Sequence, residues 1–180
     1  PTSTRKCTAA DEWSGNFLNW AATQTVDPFR SVLTGGYRVV DTETDTQLEK
    51  ARFPLELYGY TGNFPNRRLP ESGNNTTLVE DATPFSKNNM QMRVAGLNNQ
   101  MAFSLNGDGK LSKGSYNAAN FTAYNPATAI TNDKAYLVSI RVKVCVAGLL
   151  EPNCKQYGSN WKPEGLIQEY SKDIRYSAFS

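Results

Sequence analysis

The chain has 180 residues, with 19 Lys+Arg against 17 Asp+Glu and no histidine. That length suits one domain with a real core, and a net charge of +2, with the basic residues scattered, is too small for a nucleic-acid footprint. The missing histidines exclude Ser-His-Asp, Cys-His and every His-based metal site, and no apolar run approaches the roughly 20 residues of a bilayer span, so no membrane insertion is expected.

In chain order, Asp11 or Ser14 caps a helix whose apolar positions Trp13, Phe17, Trp20 and Ala21 recur at helical spacing. Asp27-Pro28 reads as an N-cap and first-turn pair for a second helix carrying Phe29, Val32 and Leu33 and stopping at Gly35-Gly36; one kinked helix is the alternative. Tyr37–Val40 is expected as a short strand. Thr46-Gln47-Leu48-Glu49 fits a capping box and predicts a turn or two of helix, ended by Phe53-Pro54.

From residue 55 to residue 132 the helical period disappears. Short β-like runs, Leu55–Tyr60, Leu78–Glu80, Met90–Val94 and Met101–Leu105, alternate with Gly, Pro and Asn clusters. A loop-rich insertion with hairpins is expected, and Asn106-Gly107-Asp108-Gly109 carries the strongest turn signal. Ala135–Val146 then alternates cleanly, Tyr136, Val138, Ile140, Val142, Val144 and Val146 on one face and Ser139, Arg141 and Lys143 on the other: a long strand with one wet side. Pro163 or Glu164 opens a helix bearing Leu166, Ile167 and Tyr170, followed by a strand at Ile174–Phe179. The class is α+β, a single domain or domain fragment in three segments: helices and a short strand over 1–54, a variable insertion over 55–132, and a long strand, cysteine loop, helix and strand over 133–180.

Cys145 and Cys154 flank a loop containing Gly148, Pro152 and Asn153, and closing it as a disulfide stabilises by roughly 2–3 kcal/mol when unstrained. Two buried thiols are the alternative, and Cys7 is left odd, pointing to a partner beyond these residues. Asn, Thr, Ser and Gly supply 59 of the 180 residues. Polarity carried by uncharged groups suits a secreted or cell-surface protein. The chain opens at Pro1 without a charged-then-apolar leader, so a signal peptide is expected to have been removed or to lie outside it.

Candidate sites are few. Asn106, Asp108 and Lys110 loosely match a calcium loop, but a cation stands where an oxygen ligand belongs and no Glu closes the loop. Carboxylate pairs for sugar hydrolysis, Asp11-Glu12, Glu80-Asp81 and Glu164 with Glu169, read as solvated surface charge. No Gly-rich phosphate loop stands between a strand and a helix. Trp13 and Trp20 fall on one helix face and read as core. Trp161, in the polar run Ser159-Asn160-Trp161-Lys162, is expected to be partly exposed, which makes Trp161, Asn160 and Lys162 the candidate binding surface.

Two stretches carry a resemblance. Trp13-Ser14-Gly15-Asn16-Phe17-Leu18-Asn19-Trp20-Ala21 precedes Gly35-Gly36-Tyr37-Arg38-Val39-Val40-Asp41-Thr42 and Leu48-Glu49-Lys50-Ala51. Val144-Cys145, Leu149-Leu150-Glu151-Pro152-Asn153-Cys154, Tyr157-Gly158 and Lys162 through Tyr170 follow in the same order. Together with Ile174–Phe179, these blocks resemble the N-terminal region of PilY/PilC-type tip-associated adhesins of type IV pili. The resemblance implies a large secreted protein at the pilus tip, exported through the periplasm and exposed at the cell surface or outer membrane. Its implied roles are pilus assembly with the minor pilins, adhesion to host or abiotic surfaces, and surface sensing.

The metal motif of the family's von Willebrand A region is absent, so the resemblance implies no metal or other cofactor in this segment. Calcium or magnesium is expected only in the full-length protein. The last helix and strand are expected as a von Willebrand-like pair within the α+β class. For Trp13, Gly15, Asn16, Phe17, Asn19 and Trp20 a structural role is expected: Phe17 and one or both tryptophans buried, Gly15 at a close backbone approach, Asn16 and Asn19 bonded to backbone. The expected function is non-enzymatic. An extracellular carbohydrate-binding module is the alternative, motivated by the Asn/Thr/Tyr-rich middle beside Trp161, and a glycosidase fragment rests on acid pairs alone.

Overall fold

The computed structural model describes residues 12–52, 67–69, 77–85, 90–105, 111 and 118–177. Its elements run α1 (Gly15–Ala22), α2 (Val26–Thr34), β1 (Arg38–Asp41), β2 (Thr46–Glu49), β3 (Arg67–Leu69), α3 (Leu78–Ala82), β4 (Met92–Leu97) and β5 (Gln100–Leu105). A 3-10 turn at Ala118–Asn120 leads into β6 (Phe121–Ala123), β7 (Ala135–Ser139), β8 (Arg141–Lys143), β9 (Cys154–Tyr157), β10 (Asn160–Pro163) and α4 (Leu166–Glu169). The class is mixed α+β, as expected. The chain packs as two units, each built from two separated segments: Pro1–Ala22 with Arg52–Ile140, and Thr23–Ala51 with Arg141–Ser180. Those limits cut across the three consecutive segments expected from the sequence.

The first unit is organised by a five-stranded sheet in the order β3-β4-β5-β7-β6, antiparallel except for the β6–β7 pair. The β4–β5 hairpin closes at Leu97↔Gln100, with Asn98 at φ 52°. Asn tolerates that left-handed turn conformation better than most residues. Met92, Val94, Met101, Phe103, Leu105 and Tyr136 share one face and pack with Phe17, Ala21, Val79 and Phe85. Ala95, Leu97, Ala102 and Ala135 share the other, with Leu111. A sheet buried on both faces explains why these strands show runs rather than clean alternation.

α1 starts where the sequence placed it, Ser14 Oγ accepting the Phe17 N–H at 3.3 Å and satisfying one of the free first-turn donors. The Ser14 N–H in turn donates to Ala82 O at 3.0 Å, joining α1 to the end of α3. α3 itself corrects the β-like expectation for Leu78–Glu80. Thr77 Oγ1 donates to Asp81 Oδ2 at 2.8 Å, and Glu80 and Asp81 put negative charge in the first turn, where the helix dipole favours it.

In the second unit β1, β2 and β8 form an antiparallel sheet, β9 and β10 a hairpin, and α2 packs on α4. Thr46–Glu49 is strand, not helix. Thr42 closes the preceding turn instead, its Oγ1 accepting the N–H groups of Thr44 and Asp45 at 3.3 and 3.0 Å. Sheet pairing on both sides of β2 then overrides the capping-box pattern. α2 begins at Val26 rather than after Asp27, because the Asp27 carboxylate accepts from Gln24 N at 2.8 Å and from Ala51 N at 2.8 Å. It ends at Gly35 as expected.

Two C-terminal expectations are corrected. The single strand over Ala135–Val146 is divided at Ile140: β7 pairs with β5, while β8 pairs with β2 and leaves Val142 exposed. No strand follows α4 among the described residues through Ser177; Asp173 and Ile174 donate back to Tyr170 O at 3.1 and 2.9 Å, turning the chain. The von Willebrand-like helix–strand pair is therefore not formed there. Leu55–Tyr60, the Asn106–Gly109 turn and Cys7 lie outside the described residues.

Candidate functional site

The loop between Cys145 and Cys154 is closed by a disulfide, with Cα atoms 5.6 Å apart. Glu151 braces it from within, one carboxylate oxygen accepting the Cys145 N–H at 3.0 Å and lying 3.1 Å from Cys154 Sγ. Cys145, Glu151 and Cys154 are the group among the described residues whose ligand atoms gather within 4.8 Å. With the two sulfurs bonded to each other, they present no thiolate to a metal.

From Cys154 the chain enters the β9–β10 hairpin, which carries the surface expected from the sequence. Asn160 corrects that expectation. It is buried, its Nδ2 donating to Thr42 O at 3.1 Å and Thr46 Oγ1 at 2.9 Å, so it pins the hairpin to the β1–β2 turn. Trp161 is half-buried. Lys162 reaches Asp41 Oδ1 at 2.6 Å and lies 5.8 Å from the Tyr157 ring centroid. Arg38 completes the cluster, donating to Pro163 O at 2.6 Å and Asp41 Oδ2 at 3.2 Å.

Arg38 and Asp41 went unrecognised as partners of this surface because 125 residues separate Arg38 from the hairpin carbonyl it holds. The hydrogen bond from Lys162, seconded by Arg38, holds the Asp41 carboxyl below its usual range. Tyr157 Oη donates to Glu164 Oε1, and that bond raises the phenol. The Asp41 and Glu164 carboxylates are thus each held by a neighbouring donor. Such an arrangement fixes a surface of defined shape and mixed charge.

The tryptophan motif is divided by the fold. Phe17 is buried, and Trp13 packs against Phe103 at 4.8 Å, Phe85 at 5.3 Å and Tyr124 at 5.8 Å between ring centroids. Trp20 corrects the expectation of burial: 42% exposed, it touches Phe17 at 5.8 Å and carries the Arg67 guanidinium 5.4 Å above its ring. Gly15 is not at a close approach, since a Cβ there would meet nothing within 4 Å. Asn16 and Asn19 are exposed rather than buried amides. A helix this short turns only a narrow stripe inward, and Phe17, Ala21 and Ala22 fill it.

Comparison with known proteins now decides the family. Residues 1–121 match the family described as "PilY1 homolog, small alpha/beta domain". The chain belongs to this family. Among relatives of this PilY1-homolog domain, two proteins of Xylella fastidiosa (strain Temecula1 / ATCC 700964) are each named "Type IV pilus biogenesis factor PilY1 homolog". One is 45% identical over 96% of this chain and 14% of its own length. The other is 30% identical over 95% of this chain and 13% of its own. The chain thus spans about one seventh of the length of these curated relatives. No solved structure matches. The resemblance to PilY/PilC-type proteins read from the two ends of the chain is thereby shown, and the family match extends through the middle to residue 121.

Proposed function

We propose that this PilY1-homolog domain is a non-enzymatic segment of a type IV pilus tip-associated adhesin, acting in pilus assembly and in adhesion and surface sensing. The observation that carries the reading is 45% identity, over almost the whole chain, to a protein named as a type IV pilus biogenesis factor. The β9–β10 surface, where Asp41 pairs with both Lys162 and Arg38, is on this reading a face for binding. On this reading the partners are minor pilins at the tip and a host or abiotic surface receptor. The segment works extracellularly after export through the periplasm, at the pilus tip on the bacterial surface. No cofactor is required within it, and any divalent cation belongs elsewhere in a longer polypeptide. Among the described residues no helix is long and apolar enough to cross a membrane.

The test is genetic. Deleting the gene for the full-length protein should abolish or sharply reduce surface pili counted by electron microscopy, with restoration by the intact gene. Antibody against this segment should then label pilus ends. Unchanged pilus numbers and no label on pili would overturn the assignment.

A further inference from the structure

The Cys145–Cys154 ring is built more firmly than a surface connection needs. Leu149 N donates to Val146 O at 2.8 Å across a turn with Gly148 at φ 84°, the signature of a type II turn with glycine at its third position. Cys154 N donates to Glu151 O at 3.0 Å, and Glu164 N to Asn153 O at 2.9 Å, so both ends of the second limb are held. The Glu151 carboxylate is turned back onto the Cys145 N–H. Cys145 itself is buried at φ 54°, a left-handed conformation that a non-glycine residue keeps only where its surroundings enforce it.

What this frame displays is aliphatic. Leu149 is 76% exposed, and Val146 and Leu150 are exposed beside it. Elsewhere a loop of this exposure is polar. The cations Lys143 and Lys155 flank the two limbs, Lys143 with its side chain 62% exposed while it touches Asp45. Glu151 is the one carboxylate in the ring and it faces inward onto the Cys145 amide.

We infer that the Cys145–Cys154 ring is a preformed protein-docking knuckle. Leu149, with Val146 and Leu150, enters an apolar pocket on a separate protein, and carboxylates at the pocket rim meet Lys143 and Lys155. Rigidity is the observation that selects a protein over a lipid surface. A ring locked in one conformation loses little freedom on docking into a shaped pocket, whereas a bilayer rewards apolar area and charge and is indifferent to a fixed shape. Aliphatic side chains at the centre with charges at the edge also match the anatomy of protein interfaces, an apolar core inside a polar rim.

The experiment uses the full-length protein in the bacterium that makes it. A photo-reactive benzoylphenylalanine is placed at position 149, and at exposed position 172 as control. Position 149 should cross-link to one other protein, at a peptide combining apolar and acidic residues, and position 172 should not. Leu150→Ser alongside it should lower the cross-link yield about tenfold, in line with truncating a residue at an interface centre, without changing the melting temperature. The pair Cys145→Ser and Cys154→Ser should lower it likewise; if that variant fails to fold, Leu150→Ser decides. A cross-link within the same polypeptide, a cross-link to lipid, or equal yield at the two positions would overturn the assignment. A partner with no part in piliation would uphold the knuckle while counting against the pilus reading, and a normal piliation defect with no cross-link would do the reverse.

Discussion

Trp20 and Phe17 sit one turn apart on α1, yet only Phe17 reaches the core. Phe17→Ala should therefore cost about 3–5 kcal/mol, the usual range for emptying a buried aromatic site. Trp20→Ala removes a partly exposed ring and an exposed cation–π contact, which together carry about 1–2 kcal/mol. Urea denaturation of the two variants measures the difference, and equal losses would show that Trp20 is core after all. Lys50 gives a second prediction at this scale. It is buried beside Asp27 and Glu49, its Nζ donating to Ala51 O at 2.7 Å, and burial lowers its pKa from 10.5 to about 8. The unfolded chain binds this proton more tightly than the folded one, so stability should rise with pH between about 8 and 10.5. Lys50→Met should flatten that rise in denaturation curves taken across the window. An identical slope in both proteins would mean the ammonium is solvated in the fold.

At the scale of elements, α2 and α4 meet through Gln168 and Gly165. The Gln168 amide accepts the Gly165 N–H at 3.0 Å and donates to Thr34 O at 3.2 Å, satisfying a donor at the start of one helix and a carbonyl at the end of the other. A Cβ on Gly165 would stand 2.3 Å from the Leu33 carbonyl carbon. Gly165→Ala should force the two helices apart and cost about 1–3 kcal/mol, as overpacking against backbone does; unchanged thermal unfolding would refute the tight crossing. Helices were legible where a local device sets them: Ser14 caps α1 and Gly35 ends α2. Strands β4 and β5 were legible from their apolar runs. Thr46–Glu49 was misread because its fate lies in pairing with β8, whose residues stand 92 positions away at the Arg141–Glu49 contact. The even alternation through Ala135–Val146 hid a break for the same reason, since the pattern does not say which sheet each half joins. The Cys145–Cys154 pairing was legible from proximity in sequence, and so, separately, was the polar run that puts Trp161 and Lys162 on the β9–β10 hairpin. Arg38 and Asp41, which complete it, were not.

On the scale of the whole molecule, both apolar clusters among the described residues lie in the first unit, on the two faces of its sheet, whereas the disulfide belongs to the second. Reducing it should cost about 2–3 kcal/mol for a ring of this size. Hydrogen exchange should then show the amides of β9 and β10 losing protection, read against those of β4 and β5 as reference. Unaltered protection in β9 and β10 would mean that Glu151 and the turn bonds hold the ring without the covalent link.

The split of each unit into two separated segments also sets a timetable. A chain that emerges from its N-terminus, from a ribosome or through a membrane channel, delivers β1 and β2 long before β8. Until Arg141 arrives, Glu49 is a carboxylate without the guanidinium that meets it at 2.9 Å in the fold, 92 residues later. The second unit must wait, half made, while everything between is threaded past it. Long-range closures of this kind slow folding and leave strand edges open in the interval. Among the described residues, β1 carries Arg38 and Asp41 and β2 carries Glu49, charges on edges that would otherwise invite pairing with a neighbouring chain during the delay.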